Sequence, residues 1–373
     1  MSGTGTIMRL GDFEAPFDSI CHDLLEVGHT LYACLRPHMR EQWGSHPLTI
    51  DLIDSPELNA GAAAANDSFQ IGICRGAVEH VYGAMYGLMS CPTFLPDIGN
   101  AKGEVSPPFF PEFGFCPIPI SQAPPLYTGV DIVIPCDPLR QTVAMLLASV
   151  ALEFLVFHEV GHVVAGHLEI EPTASIREYE SGEAAPDSHA LDRVLECDAD
   201  AFACHSTGSI VTHPKMASTI QDIVKVTHWP TAHVGNVIYL AAVVVLFRIL
   251  YPRAPANIGP QIQSHPHPAI RAAIVSVCTG ARSMHNGQLS PDELGSVFSG
   301  SVRNVEVLWA ELGLPGQVLQ PETQWAESVV CGMRELLDAY ESSKPFLNRY
   351  SHLDRRWHDW EWRTAQALAE QAG

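Results

Sequence analysis

The amino-acid sequence predicts an α+β fold that is mostly helical and includes a small β-sheet. Three observations support this class. Apolar residues recur with the 3.6-residue period of helices over several long runs, short runs rich in β-branched residues have the length of strands, and a proline-rich segment, 92–138, interrupts the pattern. The chain therefore combines many helices with a few strands.

The elements in the first third of the chain alternate between helix and strand. The apolar runs predict helices over 18–43 and 78–89, and strands over 48–53, 69–74 and 130–135. Paired prolines and few charges exclude long helices from the proline-rich segment. We interpret that segment as an ordered loop packed on the body, which forms a lid or a wall of the substrate cleft, or else a purely structural wrap.

Residues 146–168 form the most informative helical run, because it contains an HExxH motif made by His158, Glu159 and His162. Histidines four apart lie on one face of a helix, where two neutral imidazoles can bind one Zn²⁺ and the glutamate can deprotonate a bound water. The flanking residues are apolar, and a buried helix rarely keeps such polar groups without partners. The alternative is a core helix whose polar side chains are satisfied by neighbours.

A second helical run, 188–206, supplies acidic residues at helical spacing. Glu196 and Asp200 are four residues apart and share a face. Glu196 can be a third metal ligand, and Asp200 can hold a ligand histidine through its other ring nitrogen. The third histidine of the metzincin pattern would stand at the position of Leu168, and His167 comes one residue too early for it. The alternative for the acidic pair is a solvated helix face.

The order of HExxH followed by ExxxD resembles the gluzincin metallopeptidases, in which the second glutamate is the third zinc ligand and the aspartate supports a ligand histidine. A later HP-x4-R segment, from His265 to Arg271, resembles the M48-type peptidases. This resemblance implies that His265 and Arg271 stabilise the oxyanion near the scissile carbonyl. The alternatives are a proline-stiffened helix start with Arg271 paired to an acid, and His267 in the place of His265.

Asn59 and Ala60, followed by the strand at 69–74, resemble an upstream segment of the same peptidases. There the segment is an exposed sheet edge that faces the cleft, and an extended peptide adds to such an edge through main-chain hydrogen bonds. The resemblance implies a zincin-like fold with the mixed sheet next to the active-site helix, and substrate contacts at Asn59 and Ala60. The soluble Lit-like phage-exclusion peptidases, also called U49, have similar traits, which implies a role in phage defence.

These patterns and resemblances together predict a zinc endopeptidase that hydrolyses a protein or peptide substrate with one Zn²⁺ per chain. Glu159 would activate the attacking water. A rival hypothesis is a di-iron or other redox carboxylate protein, because Glu26 and His29 repeat the ExxH pair of Glu159 and His162. A third is a metal-binding sensor or toxin-type protein that cleaves only after a trigger or partner protein engages it.

The chain length and the spread of the motifs predict one large catalytic domain with a helical addition. We expect residues 1–280 to form the catalytic domain, with the proline-rich segment as an insertion. Residues 281–373 would form a C-terminal extension packed on it, with helices over 323–340 and 352–369.

Composition limits the partners and the compartment. The formal net charge of −21 argues against nucleic acid, because phosphate binding needs a basic surface. The first residues lack the charged and apolar plan of a signal peptide, and the ten cysteines include no CxxC pair, so we expect a cytoplasmic protein with reduced thiols. The apolar run Val234–Leu250 contains Asn236 and Arg248, and we predict a buried helix there, with no membrane partner.

Overall fold

The computed structural model describes residues 6–7, 15–55, 57–65, 67–104, 134–170, 188–207, 214–251, 266–285 and 322–353, together with 290, 301–302, 305 and 308. Within these ranges the chain is mostly helical and carries one small mixed sheet, which confirms the predicted α+β class. The nine cysteines among these residues are free thiols.

The sheet has four strands in the order β1-β2-β4-β3. They are β1 (Thr6–Ile7), β2 (Leu48–Asp54), β3 (Ala60–Ala65) and β4 (Ser68–Cys74). β2 and β4 are parallel, whereas β1 pairs with β2 and β3 pairs with β4 in the antiparallel sense. β2 and β4 were predicted from their apolar alternation. Composition did not predict β3, because alanine is depleted in strands.

The N-terminal helix α1 (Ala15–Leu35) is shorter than the predicted 18–43. It ends in a 3₁₀ turn, Arg36–His38, and the short helix α2 (Glu41–Gly44) follows. The prediction is wrong beyond Leu35 because Pro37 lacks an N–H group and its ring disfavours a continuous helix. The next helix, α3 (Arg75–Met89), begins three residues before the predicted start.

The central helix α4 (Pro138–Val164) carries the HExxH motif and is buried along most of its length. It begins where Asp137 accepts a hydrogen bond from the backbone N–H of Arg140, with Pro138 in the first turn. The fully buried guanidinium of Arg140 donates to the carbonyl oxygens of five residues of the preceding segment, Met89, Cys91, Phe94, Leu95 and Ile98. The start of α4 is thereby joined to α3.

The proline-rich segment can be followed only at its two ends. Residues 92–104 and 134–138 are described, and Glu104 accepts hydrogen bonds from the backbone N–H groups of Cys136 and Asp137, so the two ends meet. The remainder lies outside the described residues, as does most of the strand predicted over 130–135. Ile134 and Pro135 are not in a strand.

Four further helices surround α4 or pack on its neighbours. They are α5 (Ser188–Thr207), α6 (Pro214–Thr227), α7 (Thr231–Leu250) and α8 (Pro268–His285). α4 packs most extensively on α5, and Gly161 is the reason that the two helices approach closely. A Cβ at Gly161 would lie 3.2 Å from both Cα and O of Ala199 and 3.1 Å from the ring of Phe202. This close approach brings the acidic residues of α5 to the histidines of α4.

Length and composition alone would allow α4 and α7 to cross a membrane. In the structure, the most apolar 18-residue windows of these helices are 83% and 89% buried by the protein itself. The predicted helix Val234–Leu250 corresponds to α7, which is buried from Val234 to Ile249.

The C-terminal helix α9 (Glu322–Tyr350) extends ten residues beyond the predicted 323–340 and packs on α5 and α8. Its end reaches the end of α4: the backbone N–H of His352 donates to the carbonyl oxygen of Val164. The helix predicted over 352–369 lies outside the described residues from position 354 onward. The described part of the extension therefore packs on the helices that carry the motifs.

Candidate metal centre

Three side chains from α4 and α5 place their donor atoms around one point. The Nε2 atoms of His158 and His162 are 3.1 Å apart, and they lie 3.6 and 3.7 Å from the two carboxylate oxygens of Glu196. Donors bound tetrahedrally to zinc at about 2.0–2.1 Å are separated by roughly 3.3–3.4 Å. The observed distances are close to that separation, and each oxygen of Glu196 lies near one histidine, so the three side chains can hold one metal ion.

Asp200 contacts His158 at the ring nitrogen that does not face Glu196. Its Oδ1 lies 2.9 Å from His158 Nδ1, so the hydrogen bond leaves Nε2 directed at Glu196. Arg271 donates two hydrogen bonds of 2.7 Å to the same carboxylate, and its Nη1 lies 3.5 Å from Glu196. Burial opposes charge on both partners, yet the hydrogen bond to Asp200 raises the pKa of His158, and Arg271 keeps the pKa of Asp200 below its usual value.

Glu159 lies beside the donor cluster and is 6% exposed. Burial raises the pKa of its carboxyl to about 7, although the backbone N–H of Ala62 donates to it and favours the charged form. A carboxyl in this range can accept and release a proton near neutral pH. It is also joined by this bond to the edge strand β3.

These groups line one cleft of about 220 Å³. The lining includes the sheet edge from Asn59 to Ala62, the donor cluster, Glu159 and Arg271. It also includes apolar side chains from α4 and α7, together with one residue after α4: Phe154, Leu155, Leu246, Phe247, Leu250 and Leu168. Asn59 and Ala60, predicted as substrate contacts, thus face the same space as the cluster.

β3 presents main-chain groups to this cleft. The N–H of Cys74 donates to the carbonyl oxygen of Asn59, which places Asn59 in a hydrogen-bonded pair. Hydrogen-bonded and non-hydrogen-bonded pairs alternate in an antiparallel ladder, so the main-chain groups of Ala60 and Ala62 point away from β4. Ala62 uses its N–H on Glu159, and Ala60 is the next position with outward groups.

The HP-x4-R segment is only partly visible. His265 lies outside the described residues. His267 is buried, and its Nδ1 accepts a hydrogen bond from the N–H of Ala269 at the start of α8. Arg271 lines the cleft, with its guanidinium bound to Asp200. The proline-stiffened helix start and the pairing of Arg271 with an acid are both observed.

Sequence reasoning assigned no role at the site to three residues that lie around the cluster. His167 lies 3.0 Å from His162, nitrogen to nitrogen, and 3.0 Å from Asp198, so it forms a second chain of imidazole and carboxylate behind the site. Tyr251 lines the cleft next to Arg271. Asp198 lies on α5, two residues after Glu196. His167 and Tyr251 follow the ends of their helices, where no periodic pattern marks their direction.

The second ExxH pair does not share this environment. Glu26 and His29 are exposed on α1, and Glu26 is near His22, another exposed residue. The buried member of that segment is Gly28, where a Cβ would lie 2.7 Å from Val156 of α4. α1 therefore packs on α4 through its glycine, with the pair toward solvent.

Comparisons of the chain with family models, curated proteins and solved structures gave no match. The function is therefore inferred from the geometry and the chemistry of the cleft.

Proposed function

We propose that the protein is a zinc-dependent endopeptidase with a zincin-like catalytic site. The observation that carries this proposal is the convergence of three donor atoms from His158, His162 and Glu196 in a cleft that also holds Glu159 and an unpaired edge of the described sheet. A metal site, a general base and a template for an extended chain are the parts that peptide hydrolysis needs.

Zinc is the metal that suits this donor set. Two neutral imidazoles and one carboxylate are typical of catalytic zinc sites, in which a fourth position is left for water or substrate. Ligand histidines in such sites donate their other ring N–H to an acceptor that fixes the ring, and Asp200 is that acceptor for His158. When bound here, zinc would polarise the substrate carbonyl and lower the pKa of its water toward about 7.

Glu159 is the general base in this proposal. It accepts the proton of the attacking water and transfers that proton to the amine that leaves. Burial raises the pKa of this carboxyl to about 7 in the metal-free protein, and a bound Zn²⁺ would favour its charged form, which is the form that accepts the proton. The hydrogen bond from the N–H of Ala62 holds the carboxylate beside the sheet edge, where the scissile bond would lie.

The edge strand β3 orients the substrate. A peptide that adds antiparallel or parallel to β3 can pair with the main-chain groups of Ala60, while Asn59 contacts it at one end. The side chains of β3 are alanine and glycine, which allow a close approach of the second chain. The apolar part of the cleft lining, which includes Phe154 and Leu246, favours apolar substrate side chains.

Tyr251 is the donor that we assign to the oxyanion. Burial raises the pKa of its phenol to about 12, with the nearby guanidinium of Arg271 as the opposing influence, so the proton stays on the phenol at neutral pH. A phenol oxygen that accepts a hydrogen bond from Arg271 can still donate its own proton. Arg271 is thereby assigned to positioning Tyr251 and Asp200, and the role of His265 beside the oxyanion stays a prediction.

Elemental mass spectrometry and a cleavage assay test this proposal together. We expect one zinc per chain in the wild type, little or none in Glu196→Ala, and full zinc in Glu159→Gln. A mixture of extended peptides, analysed by mass spectrometry, should be cut by the wild type alone. Two irons per chain would support the redox carboxylate rival instead. A zinc-loaded wild type that leaves every peptide intact would contradict constitutive peptidase activity.

A further inference from the structure

Two separate hydrogen-bonded chains run from α5 carboxylates to the two histidines of the HExxH motif. The first is direct, from Asp200 to His158. The second has an extra imidazole in it: Asp198 Oδ2 lies 3.0 Å from His167 Nε2, and His167 Nδ1 lies 3.0 Å from His162 Nδ1. His167 and Asp198 are 1% and 0% exposed, so water does not compete for these bonds.

The second chain fixes where the protons lie. A carboxylate only accepts hydrogen bonds, so Asp198 takes the Nε2–H of His167. A neutral His167 then presents a lone pair at Nδ1, and that lone pair accepts the Nδ1–H of His162. The proton of His162 is thereby held on Nδ1, which leaves the lone pair on Nε2, the atom that faces Glu196. The other tautomer of His162 would carry a proton on the atom that must bind a metal.

We propose that His167, held by Asp198, is a positioning residue that sets His162 in the tautomer required for metal binding. This inference rests on the metal site of the proposed function. It gives His167 a role that the HExxH motif does not contain, and it explains why α5 carries acids at both 198 and 200. Residues two apart point to different sides of a helix, and each of these acids reaches a different histidine.

The turn at Gly166 brings His167 back to His162. Gly166 has a φ of +73°, a left-handed conformation in which glycine carries no steric cost. Without this turn, a histidine five residues after His162 would lie on another side of the helix. The carbonyl oxygen of Tyr350, at the end of α9, lies against Gly166, so a side chain at this position would collide with it.

The test compares two replacements of His167, one without and one with a hydrogen-bond acceptor toward His162. In His167→Phe the ring volume is kept but no acceptor faces His162, whereas in His167→Asn the side-chain oxygen can occupy the place of Nδ1. Zinc affinity is measured by competition with a chromophoric chelator. We expect His167→Phe to weaken zinc binding by roughly 10- to 100-fold and His167→Asn to retain it within a few-fold. His80→Phe, which removes a buried imidazole of α3, is the matched control and should bind zinc as the wild type does.

A second measurement needs no substitution. Nitrogen-15 NMR of the metal-free wild type, prepared with a chelator, reports which ring nitrogen of His162 carries the proton. A proton on Nδ1 supports the inference, and a proton on Nε2 overturns it. Unchanged zinc affinity in a folded His167→Phe would also overturn it. A wild type that binds no zinc would contradict the proposed function, and the NMR result would still decide the tautomer of His162.

Discussion

Asp200 is the residue on which most of the site depends. It is fully buried, and its carboxylate accepts from His158 and twice from Arg271. A buried carboxylate is costly unless it is paired in this way, and its partners are in turn held in single orientations. Arg271 also lies 3.5 Å from Glu196 and hydrogen-bonds to Tyr251, so the orientation of these two side chains depends on its pairing with Asp200. One buried acid therefore orients, directly or through Arg271, several of the groups that line the cleft.

Tyr251→Phe tests the assignment of the oxyanion donor. We expect the variant to keep one zinc per chain, to lower kcat by roughly 10²-fold and to leave KM within a few-fold, because the hydroxyl acts only when charge develops on the carbonyl oxygen. The measurement is steady-state cleavage of a peptide that the wild type cuts. Tyr86→Phe, on α3 and outside the cleft, is the control. Equal kcat in the two variants would mean that Tyr251 only supports Arg271.

The residues that sequence reasoning found are those with helical periodicity. His158 and His162, like Glu196 and Asp200, are four apart, and a helix converts that spacing into a shared face. His167 and Tyr251 could not be found in this way, because each follows the end of a helix and its direction depends on a turn. Arg271 was found by resemblance, but its bidentate contact with Asp200 depends on how α8 packs on α5.

At the scale of elements, two glycines control how the helices meet the site. Gly161 lets α5 approach α4, and Gly166 lets the chain turn where α4 ends against α9. The sequence predicted α4 and α5 but not their separation, since that depends on the absence of one Cβ. β3 illustrates the same limit, because alanine does not mark a strand and only its pairing with β4 defines it.

Gly166→Ala tests the junction between α4 and α9. A Cβ at this position would lie within van der Waals radii of the carbonyl oxygen of Tyr350, and the left-handed conformation alone costs roughly 1–2 kcal/mol for a non-glycine residue. We expect the free energy of unfolding to fall by about 2 kcal/mol or more, measured by urea denaturation. Zinc affinity should fall with it, because the turn carries His167.

Gly83→Ala is the control for this substitution. Gly83 is inside α3, and a Cβ there would meet nothing within 4 Å. Alanine is the better helix former by about 0.5–1 kcal/mol, so this variant should be as stable as the wild type or more stable. If both variants changed stability equally, the contact at Tyr350 would not be the cause.

At the scale of the whole molecule, burial of neutral histidines makes the fold sensitive to acid. Burial lowers the pKa of His80 to about 4 and that of His352 to about 3, the latter with a contribution from Arg40. His80 lies in α3, and His352 stacks on Trp43 with ring centroids 4.3 Å apart. Both rings are buried where separate parts of the chain pack together. Protonation of either ring therefore favours the unfolded chain, in which the charge is solvated.

His80→Gln tests this acid sensitivity, and the sign follows from linkage. Above pH 6.5 His80 is neutral in both states and contributes nothing to the pH dependence. As the pH falls, the unfolded chain takes up the proton first, so the fold loses up to about 3 kcal/mol by pH 4. We expect the free energy of unfolding of His80→Gln to fall less steeply than that of the wild type between pH 6.5 and 4. His22→Gln, which alters a side chain that is 61% exposed, should follow the wild-type slope. Parallel curves for all three proteins would show that His80 takes up its proton in the folded state as readily as in the unfolded chain.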